Sequence, residues 1–259
     1  MPFFVKKYFF SLSAFILSLS LHLFSQQQKD SKFLIGEKGF YPLYNYSTKE
    51  YQALPQNWAI MQDKRGVMYF GNNQGILEYD GVSWRMIKVV NETNIRSFAM
   101  DESGKIFVGA AGEFGYLSPD SSGNMRYVSL LPFVNKSDLD FSDIWGTHST
   151  KEGIYFQSDN KIFRWDGKKI KVWNAEKSFH RSFKVNNHLC IREREVGLSE
   201  MIGDNLVSLK GGEEFADETI YAMIPFTGGS VPHGKPELPF DKNTGGLLGG
   251  NCNKRFSDY

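Results

Sequence analysis

A repeat of 38 residues constrains this chain more than any other feature. Gly66 and Gly71 are answered by Gly104 and Gly109, each one period later (104−66 and 109−71). The clearest copy, residues 57–89, holds four short apolar runs at 58–61, 67–70, 76–79 and 84–89. Turn signals rich in Asp, Asn and Gly separate them at 63–66, 72–75 and 80–81. Runs this short and aromatic, bounded by such residues, read as strands joined by hairpins. Further copies run over 95–130, 141–174 and 180–209, and a fifth begins at 219 and loses the pattern after 226.

A period near forty residues with four strands per unit predicts an all-β fold, a β-propeller of four-stranded antiparallel blades. One such sheet cannot bury both faces, so each blade needs a neighbour. The aromatics meet that demand: Trp58, Tyr69, Phe70, Tyr79, Trp84, Phe98, Phe107, Trp145, Tyr155, Phe156, Phe163, Trp165 and Trp173 all fall in strand positions. The copies amount to about four and a half blades, an incomplete ring with an open edge on each side.

The flanks differ from the repeats. Residues 1–25 read as an export signal, with Lys6 and Lys7 ahead of an apolar run; an uncleaved anchor gives a similar pattern. Either places the propeller outside the cytoplasm, at the periplasm or cell surface. Residues 26–56 form a lead-in, polar at first and then dense in tyrosine. It suits either a strand that closes the ring or a segment packed outside it. Residues 227–259 are rich in Gly and Pro and are not expected to continue a central strand. A reading-frame shift followed by an early stop would leave such a tail from about Gly228.

Net charge bounds the partners. Thirty basic residues against 29 acidic ones give +1, with no clustered basic face of the kind nucleic acid requires. Cys190 and Cys252 make neither a disulfide framework nor a metal motif. Asp138, Asp140 and Asp143 lie close enough together for calcium but lack the rest of a calcium loop, and read as a solvated inter-blade loop. Glu193 and Glu195, interleaved with Arg192 and Arg194, read as an exposed edge strand with cross-strand ion pairs rather than a glycosidase pair. The Asp-Gly pairs at 80–81 and 166–167 read as two-residue turns with positive φ at both positions. No cofactor or metal is expected.

One positional argument marks a site. Propellers offer ligands the mouth of the central channel, where loops enter each innermost strand. If the first strand of each repeat is innermost, the mouth lies at 57–58, 94–96, 143–145, His180-Arg181 and 219–221, with Asn57, Trp58, Arg96, Asp143, Trp145, Arg181 and Tyr221 as its candidate ligand contacts. Aromatics, Arg and amides in a ring suit a polar small molecule or an oligosaccharide; plain strand-end packing produces the same residues.

Several segments in order resemble the two-component regulator propeller family, in particular the sensor regions of bacterial triple-tyrosine-motif proteins. They are Tyr46-Ser-Thr-Lys-Glu-Tyr51, Gln56-Asn-Trp-Ala-Ile60, Asp63-Lys-Arg-Gly-Val-Met-Tyr69, Gly75-Ile-Leu-Glu-Tyr-Asp-Gly81 with Trp84-Arg85, Gly109-Ala-Ala-Gly-Glu-Phe-Gly-Tyr-Leu117 and Tyr155-Phe-Gln157. The resemblance covers about residues 40–226. It implies an extracytoplasmic, non-catalytic sensor that receives a ligand for the rest of a receptor or a homodimer partner, with kinase or cyclase output carried elsewhere. A secreted propeller enzyme acting on polysaccharide and a protein-binding scaffold are the alternatives.

Overall fold

The computed structural model describes residues 43–226, 240–241 and 246–250. The expected export signal and the first part of the lead-in lie outside them. Residues from Tyr46 onward form one compact unit; of the preceding unit only 43–45 are described, exposed and irregular.

Each of the first four repeats folds as an antiparallel meander in sequence order. Blade 1 comprises β1 (Asn57–Gln62), β2 (Met68–Asn72), β3 (Gly75–Tyr79) and β4 (Trp84–Ile87). Blade 2 comprises β5 (Ile95–Met100), β6 (Ile106–Ala110), β7 (Glu113–Pro119) and β8 (Met125–Ser129). Blade 3 holds β9 (Gly146–Thr150), β10 (Gly153–Gln157), β11 (Lys161–Trp165) and β12 (Ile170–Asn174), and blade 4 holds β13 (Phe179–Val185), β14 (His188–Glu193), β15 (Gly197–Ile202) and β16 (Asn205–Ser208). The first strands are innermost: β1 packs beside β5, β5 beside β9, β9 beside β13, and β13 beside β17 (Ala222–Phe226). This is an incomplete propeller.

The core lies in the seams between blades. Tyr69, Ile76 and Ile87 of blade 1 pack with Ile95, Ile106 and Val108 of blade 2. Phe107 and Phe114 of blade 2 meet Ile154, Phe156 and Phe163 of blade 3, with the Phe114 ring 4.6 Å from Phe156 and 4.9 Å from Phe163. Tyr155 and Ile162 then meet Leu189, Ile191 and Met201 of blade 4. Burying rings of this size in each seam supplies most of the adhesion between neighbours. The repeating glycines have a packing reason. A Cβ on Gly71 would stand 2.9 Å from Ile95 of the next blade, and one on Gly109 would stand 2.5 Å from Ile144 and 2.6 Å from Thr147 of blade 3.

The turns repeat as well. Asp63, Asp101 and Asp120 each accept two hydrogen bonds with one side-chain oxygen, from donors two and four residues ahead, and a glycine of positive φ follows at 66, 104 and 123. In the case of Asp101 the first of the two donors is the Ser103 hydroxyl rather than an amide. The Asp-Gly pairs correct the expected two-residue turn. Asp80 accepts from the amides of Val82 and Ser83, and Asp166 from those of Lys168 and Lys169. Only the glycines, at φ +98° and +96°, have positive φ. A carboxylate that caps its own loop supports a four-residue connection where an aspartate in left-handed backbone is not needed.

The described part of the lead-in is a packed segment rather than a strand. One helical turn, Thr48–Tyr51, brings Tyr51 to 5.6 Å from Trp84, and Tyr46 lies 5.1 Å from both Trp84 and Tyr79. The tail departs from expectation. Gly246–Gly250 forms β19, which pairs in parallel with β17 and antiparallel with β18 (Phe240–Asp241), so it is the middle strand of its sheet. Backbone pairing needs no side chains, so a glycine-rich run can do it; the parallel direction nevertheless ends the meander pattern. No helix among the described residues is long and apolar enough to cross a membrane.

Candidate functional site: the channel mouth

A β-bulge stands near the start of the innermost strand in three blades. In blade 1 Asn57 pairs with Asn72 and Ala59 with Gly71, leaving Trp58 as the extra residue. In blade 2 Ile95 pairs with Ala110 and Ser97 with Gly109, leaving Arg96. In blade 4 Phe179 pairs with Glu193 and Arg181 with Arg192, leaving His180. Trp145 precedes β9 at the corresponding place, after the buried Ile144, as Tyr221 follows the buried Ile220 ahead of β17. A bulge takes one residue out of the ladder and re-aims its side chain. Here the residues set outside the ladder are Trp58, Arg96 and His180, one in each of the three bulged blades.

These side chains meet in blades 1 to 3. The Arg96 guanidinium lies 4.0 Å from the Trp58 ring centre and 4.8 Å from that of Trp145, and the two indoles meet edge to face with centres 6.3 Å apart. Its Nε donates to Asp143 Oδ1 at 2.6 Å. Asp143 is held in place by a bridge pairing with Ala111, at the turn that enters β7. The Arg96 side chain is 10 % exposed, and its Nη1 is enclosed without a hydrogen-bond partner among the described residues. Arg181 adds a second cation 5.3 Å from the Trp145 ring centre. Trp58 donates its indole N–H to Asn73 Oδ1 at 2.6 Å and remains 43 % exposed. The result is an alternating aromatic and cationic stack with one open indole face.

Beyond Arg181 the ring changes character. His180 meets Tyr221 edge to face at 6.3 Å, and Tyr221 is largely exposed. Burial, with Arg192, Arg181 and Arg194 nearby, pulls the His180 imidazole down to about 4, so it is neutral at ordinary pH.

The structure thus brings together Trp58, Arg96, Asp143, Trp145 and Arg181, and sets Tyr221 beside His180. Asn57 is exposed beside Trp58 and tied to Asn72. Asn57 Oδ1 accepts from the buried Asn72 amide at 2.9 Å, and Asn72 also donates to the carbonyls of Leu54 and Gln56. Asn72 therefore ties the lead-in to β2. Asn73 is the additional member, and His180 stands beside Arg181 as the bulge residue of blade 4. The period itself points to the bulge position, since 38 residues separate Trp58 from Arg96 (96−58).

Two readings of acidic groups change. Glu193 and Arg192 are buried on β14, a central strand, and Glu195 lies beyond it in a turn at φ +61°. Glu193 accepts the Lys177 amide at 2.6 Å, and Arg192 donates to the carbonyls of Phe215 and Ala216. These groups form neither an exposed edge nor a carboxylate pair, because the hairpin ends between them. Asp138 and Asp140 are drawn to the buried Lys161 ammonium at 3.4 and 2.9 Å. Hydrogen bonding to Lys161 holds the Asp140 carboxyl below its ordinary range. The inter-blade loop is pinned by a lysine rather than merely solvated.

No protein-family profile and no curated protein matches this chain. Among solved structures it is similar to virginiamycin B lyase from Staphylococcus aureus, at 14 % identity and a TM-score of 0.44 over 58 % of this chain and 54 % of that one. It is also similar to the extracellular domain of a protein from B. thetaiotaomicron assigned as a one-component system, at 15 % identity and a TM-score of 0.47 over 66 % of this chain and 24 % of that one. The extracellular domain of another B. thetaiotaomicron protein, assigned as a hybrid two-component system, gives 17 % identity and a TM-score of 0.42 over 57 % and 20 %. The matched region spans about half of the lyase and about a quarter or less of the two extracellular domains.

Proposed function

We propose that this chain is an extracytoplasmic ligand-sensing propeller of a bacterial signal-transduction receptor, and that its channel mouth takes a polar small molecule or an oligosaccharide. One observation carries the reading: Trp58, Arg96 and Trp145, from three successive blades, are stacked at one end of the axis with an indole face left to solvent. A flat ring carrying hydroxyls suits this arrangement, since its apolar face covers indole while its edge meets Asn73 and Arg181. The order of motifs resembling propeller sensors supports the same reading. In it, the remainder of a receptor, or a second copy, receives the message.

Isothermal titration of this chain with a panel of neutral and charged oligosaccharides tests the proposal. Trp58→Ala should weaken whichever of them binds by about tenfold, the scale of a lost aromatic contact. An affinity unchanged in both Trp58→Ala and Trp145→Ala would remove the mouth as the site.

A further inference from the structure

The part of the mouth next to blade 4 is built for charge rather than stacking. A cleft of about 280 Å³ opens there, lined by His180, Arg192, Arg194, Glu195, Asp217 and Thr219, with Ala216 at its edge. Two observations in it are independent of each other. His180 Nδ1 is enclosed by protein and has no hydrogen-bond partner among the described residues. Arg192, 4 % exposed, is held by two neutral carbonyls, those of Phe215 and Ala216, and by no carboxylate within ion-pairing distance among the described residues.

A buried cation ordinarily sits against an anion, and a buried imidazole nitrogen against a partner. Here the Arg192 charge is left without an anion at the wall of the cleft, and the His180 imidazole lines the same small space. The acids on the lining do not close it. Glu195 is turned to Lys177 at 3.5 Å, and Asp217 with Glu218 act on Arg192 only from beyond contact. The Arg194 side chain has neither hydrogen bond nor ion pair among the described residues, and Thr219 adds a hydroxyl. Burial and Arg194 pull Arg192 below the ordinary arginine value, which is the mark of a positive charge short of compensation.

We propose that this cleft is a subsite for an oxyanion, a carboxylate or a sulfate, held by Arg192, Arg194, Thr219 and the His180 imidazole N–H. That the oxyanion belongs to the same ligand whose ring stacks at Trp58 rests on the function proposed above; the subsite itself does not. An acidic ring compound would then span the mouth from the open indole of blade 1 to the arginines of blade 4.

The test follows the His180 imidazole and Trp58 indole resonances separately in this chain. Sodium sulfate should shift the His180 signals saturably. Arg194→Gln should weaken that response about tenfold or more, the scale of a charged hydrogen bond. Lys151→Gln, in the turn between β9 and β10 at the other end of the channel, should leave it intact. Glucuronate should then bind more tightly than methyl glucoside if a carboxylate is taken, and glucose 6-sulfate more tightly if a sulfate is. No saturable shift at His180, or one that survives Arg194→Gln, overturns the subsite. Silence at Trp58 with all three sugars, while His180 responds to sulfate, leaves the subsite standing and removes the stacking site.

Discussion

Blades 1 and 2 carry the same motif in the same register, with the same bulge and the same aspartate-capped turn, yet their innermost strands live in different surroundings. In β5 alternate residues Ile95, Ser97 and Ala99 are buried, whereas β1 buries none of its six. Ile60 is 64 % exposed, while Phe98, its counterpart 38 residues on (98−60), packs against the core between the two blades. The difference is one of company: among the described residues, blade 2 is flanked on both sides and blade 1 on one. A blade is a shape fixed locally, and its burial is conferred by the sheet next to it.

Substitutions should therefore grade by seam rather than by residue type. Phe114→Ala empties the centre of the seam between blades 2 and 3 and should destabilise by about 3–5 kcal/mol in denaturant titration. A loss no larger than that of an edge substitution would contradict a core divided into seams. The next effect depends on pH. His148, on β9 and hydrogen-bonded to Ser182 of β13 at 2.9 Å, is pulled down to about 4 by burial. An unfolded histidine titrates near 6.5. Its folded preference for the neutral form thus contributes stability above that pH, and this is lost as pH falls from 6.5 toward 4. The loss should approach roughly 3 kcal/mol and be flattened in His148→Gln, read as midpoint against pH.

Gly109→Ala forces a Cβ into Ile144 and Thr147 and should cost about 1–3 kcal/mol, more than Gly71→Ala, where the clash is looser. Equal costs would mean that the two seams are equally tight. The smallest effect separates the strands themselves. Ile60→Ser should change stability by less than about 0.5 kcal/mol, and Phe98→Ser by clearly more. A large effect at Ile60 would mean that blade 1 is covered in solution, and analytical ultracentrifugation of this chain would then show whether a second copy covers it.

Most of the fold was legible because the repeat is written in turn and seam residues. Gly71 and Gly109 stand where neighbouring blades nearly touch, and Asp63 and Asp101 cap their own turns, so the period reports packing directly. The mouth was legible in part. Loop position alone found Trp58, Arg96, Trp145 and Arg181, and with them Asn57, which lies one residue from Trp58 and pairs with Asn72 in the ladder. Which of two adjacent residues faces the channel is decided by the bulge, and a bulge leaves the hydrophobic pattern unchanged. Glu193 misled for a related reason. Alternating charges on a strand signal exposure only when a face is solvated, and the segment around Phe215 covers this one through Arg192. The tail was harder still, since glycine-rich pairing carries no side-chain signature.

The bulges have a consequence for how the rim could change its chemistry. A side chain standing outside the ladder has no partner opposite it on the next strand, so the hydrogen-bonded pairing is indifferent to what is written there. Trp58, Arg96, Trp145, His180 and Tyr221 already differ from blade to blade on a common scaffold. The rim thus works as a row of interchangeable letters, in which recognition can be respelled without renegotiating the fold.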